Sequence, residues 1–322
     1  MRRPGTSCGV LVAAGLAVAG CGTTSSDNDS TNAAQGASSD SVSIGTTTML
    51  GDVVAEIMEC AGGTAQTLMP VGVDPHDFSA SSEQVASMVS AELVVANGLG
   101  LEEGLEAALE SAAADGAVVV EVAPMVDPIE FTGGLHSEDE HSEDEHGSLD
   151  PHFWHDAARM AEAAELVGAE LAELTGDEAY ATCGTEVHDQ IVEADQQVRD
   201  ILAAVPADQR VLVTDHDALG YFADAYDFEV AGVVIPGGST LAEPSSQELT
   251  ELVETIETEG VAANFSTTAA GSTLLDAVAA DAGTEVEVVE LYVGSLGEQG
   301  SGAETYVGMV TTNAERIAAA LG

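Results

Sequence analysis

The sequence predicts an α/β protein of two lobes joined by a helical connector. Three observations carry that expectation. Short β-branched runs alternate with amphipathic segments on both sides of the chain's middle. The middle itself, residues 156–204, is rich in Ala, Glu and Leu with hardly a breaker before Gly176. A hydrophobic fraction of 45% is enough for a packed core and excludes general disorder.

The chain opens with a targeting segment. Arg2 and Arg3 give a positive start, and the apolar run Val10–Ala19 is too short to span about 30 Å of hydrocarbon, so residues 1–20 read as a cleaved signal. Leu16-Ala17-Val18-Ala19-Gly20-Cys21 resembles a bacterial lipobox, which implies cleavage before Cys21 and diacylation of its sulfur. The alternative is an ordinary secretory signal with an incidental cysteine. Residues 21–41 are Ser/Thr/Asn/Gly-rich without apolar periodicity, a flexible leash with an r.m.s. reach of roughly 25 Å.

Residues 42–155 form the first lobe. Its strand-like runs are Val42–Thr46, Thr67–Val71, Leu93–Ala96 and Val118–Val122, with helical periodicity between them, as in Gly51–Cys60 and Ser82–Ser90. Residues 156–204 read as one or two long helices. Residues 205–322 repeat the scheme, with strands Val211–Thr214, Phe228–Ile235, Val261–Phe265 and Val286–Tyr292 and helices over 246–258, 269–281 and 303–321. Four strand–helix units per lobe argue for parallel sheets. Ligands of such sheets bind beyond the carboxyl ends of the strands, so side chains just after strands are the ones to inspect.

Charge and cysteine usage narrow the function. The chain has 57 acidic residues, six arginines and no lysine; losing Arg2 and Arg3 with the signal takes the formal net charge from −51 to −53. Such a surface repels nucleic acid and anionic lipid and concentrates cations. A high-salt habitat gives the same composition, so charge alone names no ligand. With Cys8 lost and Cys21 lipidated, Cys60 and Cys183 remain as an even pair in a compartment where disulfides persist; the alternative is two buried thiols.

Three of the eight histidines fall at strand ends beside aspartate: His76 in Gly72–Phe78, His152 in Asp150–Trp154 and His216 in Val213–Phe222. Three neutral imidazoles suit zinc, copper, iron or nickel, whereas manganese and magnesium favour carboxylates and water. Three ligands leave a position open for carboxylate or water. Asp74, Asp77, Asp150, Asp215 and Asp217 are placed to hold the far ring nitrogens. His155 and His188 read as structural.

Several blocks together carry a family resemblance: GVDPHDF, AELVVANGLGLEEGLEAAL, DPHFWHD, TDHDALGYFADAY, EPSSQEL and LYVGSLGEQGSGAETYVGMVTTN. Over about residues 42–321 the chain resembles the cluster A-I solute-binding proteins of ABC transporters for zinc and manganese. The resemblance implies two lobes, each with a four-stranded, mainly parallel sheet, joined by one long backbone helix, with the metal in the interlobe cleft. It places the metal ligands on His76, His152 and His216. Histidine at the third position points to zinc, because manganese-type members usually carry glutamate there. It also implies delivery of zinc to an ABC permease driven by a cytoplasmic ATPase, by a monomer anchored through Cys21 to the outer face of the cell membrane.

One departure concerns the fourth ligand. Where many members carry aspartate after the last strand this chain has Gly294, and Glu298 is the substitute within reach in sequence. Between the lobe's last strand and His152 lies a His/acid-rich tract, 136–147, whose His136, His141 and His146 are expected to collect zinc weakly. Competing readings are a manganese- or iron-binding member, an adhesin of the same fold, and a three-histidine zinc hydrolase. Against the last, there is no HExxH motif and nothing marks a general base; no catalytic residue is expected.

Overall fold

The computed structural model of the protein describes residues 42–131, 149–235, 237, 240, 242, 244–267, 273–282 and 287–322. Two four-stranded sheets organise it. The first holds β1 (Val42–Gly45), β2 (Thr64–Thr67), β3 (Leu93–Ala96) and β4 (Val119–Glu121) in the order β2-β1-β3-β4. The second holds β5 (Val211–His216), β6 (Glu229–Ile235), β7 (Ala263–Thr267) and β8 (Glu287–Leu291) in the order β6-β5-β7-β8. Every pairing is parallel. The two orders are the same, so each lobe reverses winding direction beside its first strand, where a crevice opens at the carboxyl ends.

Helices cover the sheets: α1 (Thr48–Ala61), α2 (Ser82–Ser90) and α3 (Glu106–Ala114) in the first half, α6 (Gly220–Tyr226), α7 (Ser246–Glu259), α8 (Thr273–Asp281) and α9 (Tyr306–Leu321) in the second. Their ends follow from local chemistry. The Thr47 hydroxyl accepts the Leu50 amide to start α1, and Gly62 at φ 86° ends it. Capping boxes, Ser81 with Gln84 and Ser245 with Glu248, start α2 and α7.

One element differs from the sequence expectation. β2 lies at Thr64–Thr67 rather than Thr67–Val71, because it is an edge strand with largely exposed polar side chains and so lacks a hydrophobic run. The apolar residues after it, Leu68 and Met69, still donate their amides to Gly45 and Thr46 before Pro70, which has no amide, turns the chain away. The connector takes the two-helix form of the expectation: α4 (Ala157–Thr175) stops at Gly176 (φ 72°) and α5 (Ala179–Leu202) folds back along it. The long backbone helix is α5 alone, which packs on α1 from the first lobe and on α9 from the second.

Because α4 and α5 serve both lobes, one continuous core runs from Met49, Val53 and Ile57 through Trp154, Val167 and Ile191 to Phe265, Met309 and Ile317. Separate smaller clusters fill the outer faces of the two sheets. Cys60 at the end of α1 is disulfide-bonded to Cys183 in α5, with Cα atoms 5.9 Å apart across 123 residues. A closed loop of that length removes about 5 kcal/mol of unfolded-state entropy in the chain model. Among the described residues no helix is long and apolar enough to cross a membrane.

The crossing of α4 and α5 depends on two glycines. A Cβ on Gly168 would sit 2.7 Å from the Gly184 Cα and 2.7 Å from the Tyr180 carbonyl oxygen. Gly168→Ala should therefore push the helices apart and cost about 1–3 kcal/mol, read as a lower midpoint in urea unfolding; an unchanged midpoint would show that the crossing tolerates a methyl.

Candidate metal centre

His76, His152 and His216 come together. His76 rides the loop after β2, His152 precedes a 3-10 turn at Phe153–His155, and His216 is the last residue of β5. All three are almost fully buried, and one ligand atom from each lies within 4.8 Å of the others. Ring centroids are 5.4, 6.0 and 5.4 Å apart. The His152 Nε2–His76 Nε2 separation is 3.3 Å. Metal–nitrogen bonds of about 2.0–2.1 Å at a tetrahedral angle put two nitrogens about 3.3 Å apart, so this pair has the spacing a zinc ion requires.

Carboxylates hold two of the rings. Asp150 Oδ1 lies 2.7 Å from His152 Nδ1 and also accepts the His152 amide, which leaves Nε2 facing the cluster. Asp215 Oδ1 accepts the His216 amide at 2.9 Å and lies 3.3 Å from its Nδ1, while Oδ2 accepts the Thr267 amide at 2.6 Å. Such partners fix the tautomer and orient the lone pair. His76 is held differently: Asp74 Oδ1 accepts its backbone amide rather than its ring, and its buried Nδ1 has no hydrogen-bond partner among the described residues. Asp77 is exposed and Asp217 buried.

Electrostatics keep the site ready for a cation. Burial, reinforced by the neighbouring His152, lowers the His76 pKa to about 3. Burial likewise pushes His152 and His155 well below the usual histidine range. The rings are therefore neutral, with lone pairs available, at pH 7. Burial raises Asp150 to about 7, so charge is disfavoured on both members of the Asp150–His152 pair.

The remaining walls include Asp74, Pro75, Thr240, Thr267 and Gly294. Gly294 is in the cavity, as its position in sequence suggests, but a Cβ there would stand 3.1 Å from Pro75 Cδ. Glu298 is not brought to the cluster: it is exposed, outside the cavity wall, in a turn where its carbonyl accepts the Ser301 amide. Its expected role as fourth ligand fails because that turn directs it to solvent. His155 is buried against Trp154 outside the cluster, and His188 sits beside Asp189 on the surface of α5. His136, His141, His146 and Cys21 lie outside the described residues. The polar supports Glu102, Asn97 and Tyr221 were invisible to motif reasoning, since none sits next to a ligand in sequence. Tyr221 donates to the Asp150 carbonyl at 2.8 Å and accepts the Ile129 amide.

A cleft between two parallel α/β sheets, in which three buried imidazoles converge, has the architecture of a solute-binding protein for a metal ion. The chain belongs to the ZnuA family, zinc-uptake complex component A, periplasmic, which matches residues 44–320. It is 31% identical over 283 residues to the zinc-binding protein TroA of Treponema pallidum, covering 85% of this chain and 87% of the relative. It is 27% identical over 279 residues to the manganese-binding lipoprotein MntA of Halalkalibacterium halodurans, covering 85% and 86%. The solved structure of the periplasmic zinc-binding protein TroA from Treponema pallidum superposes with a TM-score of 0.76 at 30% identity, covering 88% of this chain and 99% of that one. Family membership places the chain among binding components of metal transport and not among enzymes.

The depressed histidines make the metal-free fold sensitive to acid. The unfolded chain protonates its histidines near pH 6.5 while folded His76, His152 and His155 resist, so their contribution falls as pH drops from about 6.5 toward 3. Asp150, raised to about 7, and Asp52, Glu56 and Glu102, also raised by burial, work in the opposite sense, but the unfolded values of the carboxyls lie below pH 5 while that of the histidines lies inside the pH 5–7 window. Each unbalanced proton is worth about 1.4 kcal/mol per pH unit. The urea midpoint of metal-free protein should be lower at pH 5 than at pH 7; an equal or higher midpoint at pH 5 would contradict this electrostatic picture.

Proposed function

We propose that this chain captures zinc at His76, His152 and His216 and delivers it to the permease of an ABC-type importer. The observation that carries the reading is the convergence of three buried imidazoles with the 3.3 Å Nε2 spacing of one pair. In this reading residues 1–20 are removed, Cys21 is lipidated, 21–41 tether the protein outside the cell membrane, and 42–155 and 205–322 act as lobes about the 156–204 connector. The tract 136–147, with His136, His141 and His146, serves as a weak collector that feeds the cleft. The protein works as a monomer.

Manganese is the competing cargo, favoured by the manganese-binding names of several relatives. The donor set speaks against it: among the described residues the cluster contains no carboxylate, and manganese prefers oxygen ligands. In competition titrations zinc should bind at least about 100-fold more tightly than manganese, a difference of about 2.7 kcal/mol. His76→Ala, His152→Ala or His216→Ala should each abolish the tight site, while Ala at His136, His141 and His146 leaves it. Comparable affinities for the two ions would sink the zinc reading.

Gly294→Asp tests the missing carboxylate. An anionic oxygen beside a +2 ion should shift preference several-fold toward manganese. The gain for zinc should be small, because the new Cβ presses on Pro75. A zinc-to-manganese affinity ratio identical to that of the parent would mean the carboxylate never reaches the ion.

A further inference from the structure

Beyond the three ligands and their aspartates, the most elaborate polar arrangement in the first lobe centres on Glu102. It is 4% exposed, and burial raises its pKa, yet its carboxylate gathers three donors. Oε1 accepts the Thr46 hydroxyl at 2.6 Å and the Asn97 amide at 2.8 Å; Oε2 accepts the Gly98 amide at 3.0 Å. To bring Glu102 back under these groups the chain makes a turn with Gly98, Leu99 and Gly100 all at positive φ (84°, 54° and 78°). A left-handed leucine is costly, and it persists only where surrounding bonds impose it.

Both strand ends that Glu102 ties lead to a ligand. The Thr46 carbonyl, just beyond β1, accepts the Met69 amide at 3.0 Å, where the chain leaves β2 for His76. The Asn97 side-chain amide, just beyond β3, donates 2.9 Å to the carbonyl of Pro151, the residue before His152. One buried carboxylate therefore fixes the roots of two segments whose imidazoles meet at 3.3 Å.

We propose that Glu102 is a positioning residue for the metal site, setting the separation of His76 and His152 through Thr46 and Asn97. This rests on the assignment of those histidines as zinc ligands. Glu102→Gln keeps one acceptor but turns an NH2 toward backbone N–H donors, so the support fails without an added cavity. Removing a hydrogen-bonded support of a ligand costs about 10–100-fold in metal affinity.

The experiment compares the full chain with Glu102→Gln, Thr46→Val, Thr46→Ser and Gly168→Ala. Zinc affinity is measured by chelator competition at a temperature where near-ultraviolet dichroism shows each protein folded, and ligand geometry from the visible absorption of the cobalt-loaded forms. Glu102→Gln and Thr46→Val should lose at least about tenfold in zinc affinity and shift the cobalt bands. Thr46→Ser, which keeps the hydroxyl, should match the parent. Gly168→Ala should lower the unfolding midpoint but leave affinity and spectrum alone. If Glu102→Gln does not fold, the Thr46 pair decides. Affinities of Glu102→Gln and Thr46→Val within twofold of the parent, or an equal loss in Gly168→Ala, would overturn the proposal. A parent that binds no zinc would instead overturn the proposed function.

Discussion

Three imidazoles pointing at one another in a buried cleft are the constraint on which the rest of this structure depends. Were they charged they would repel, and were they left alone their polar atoms would be stranded without water. The fold answers by burying all three, which favours the neutral form of His76 and His152, and by supplying Asp150 and Asp215 to two of the rings. The arrangement is poorly satisfied without a cation, and the unpartnered Nδ1 of His76 shows where the compensation is least complete.

That constraint explains the shared core. Ligands that come from two sheets keep a separation of a few ångströms only if the sheets keep theirs. The packing of α5 on both α1 and α9, the disulfide from α1 to α5 and the bond from Trp154 Nε1 to the Val293 carbonyl at 2.9 Å all bind the halves together. Tyr306 adds to this by donating to the Trp154 carbonyl at 2.7 Å. Across the cleft, the Ser295 hydroxyl accepts the Gly72 amide and Thr48 accepts the Leu296 amide, so the loop after β8 is stitched to the first lobe beside Gly294.

Much of this was legible in the sequence, and the misses have physical causes. Buried central strands such as β3 and β5 announce themselves by β-branched residues, and Ser81 and Ser245 mark helix starts by capping chemistry. An exposed edge strand such as β2 carries no such pattern, so the nearest apolar run, which is really the start of a loop, took its place. The histidines were visible because strand ends and Asp-Pro turns bracket them. Glu298 fails because proximity in sequence says nothing of which way a turn faces, and Glu102 leaves no sequence signal because its partners lie four to 56 residues away.

The arginines separate attraction from selection. Beyond residue 20 the chain has four and no lysine, against 57 acids. Each of the four stacks on an aromatic ring, at 4.7 to 5.4 Å from the centroid, and donates to a backbone carbonyl or carboxylate. They act as packing and capping groups and do little to break up the anionic surface. Such a surface draws in cations of every kind within a Debye length, about 8 Å at physiological ionic strength. It therefore raises the local concentration of divalent ions without choosing among them. Choice has to be made where charge is absent, by neutral nitrogen donors whose spacing and softness, rather than their field, decide which ion stays.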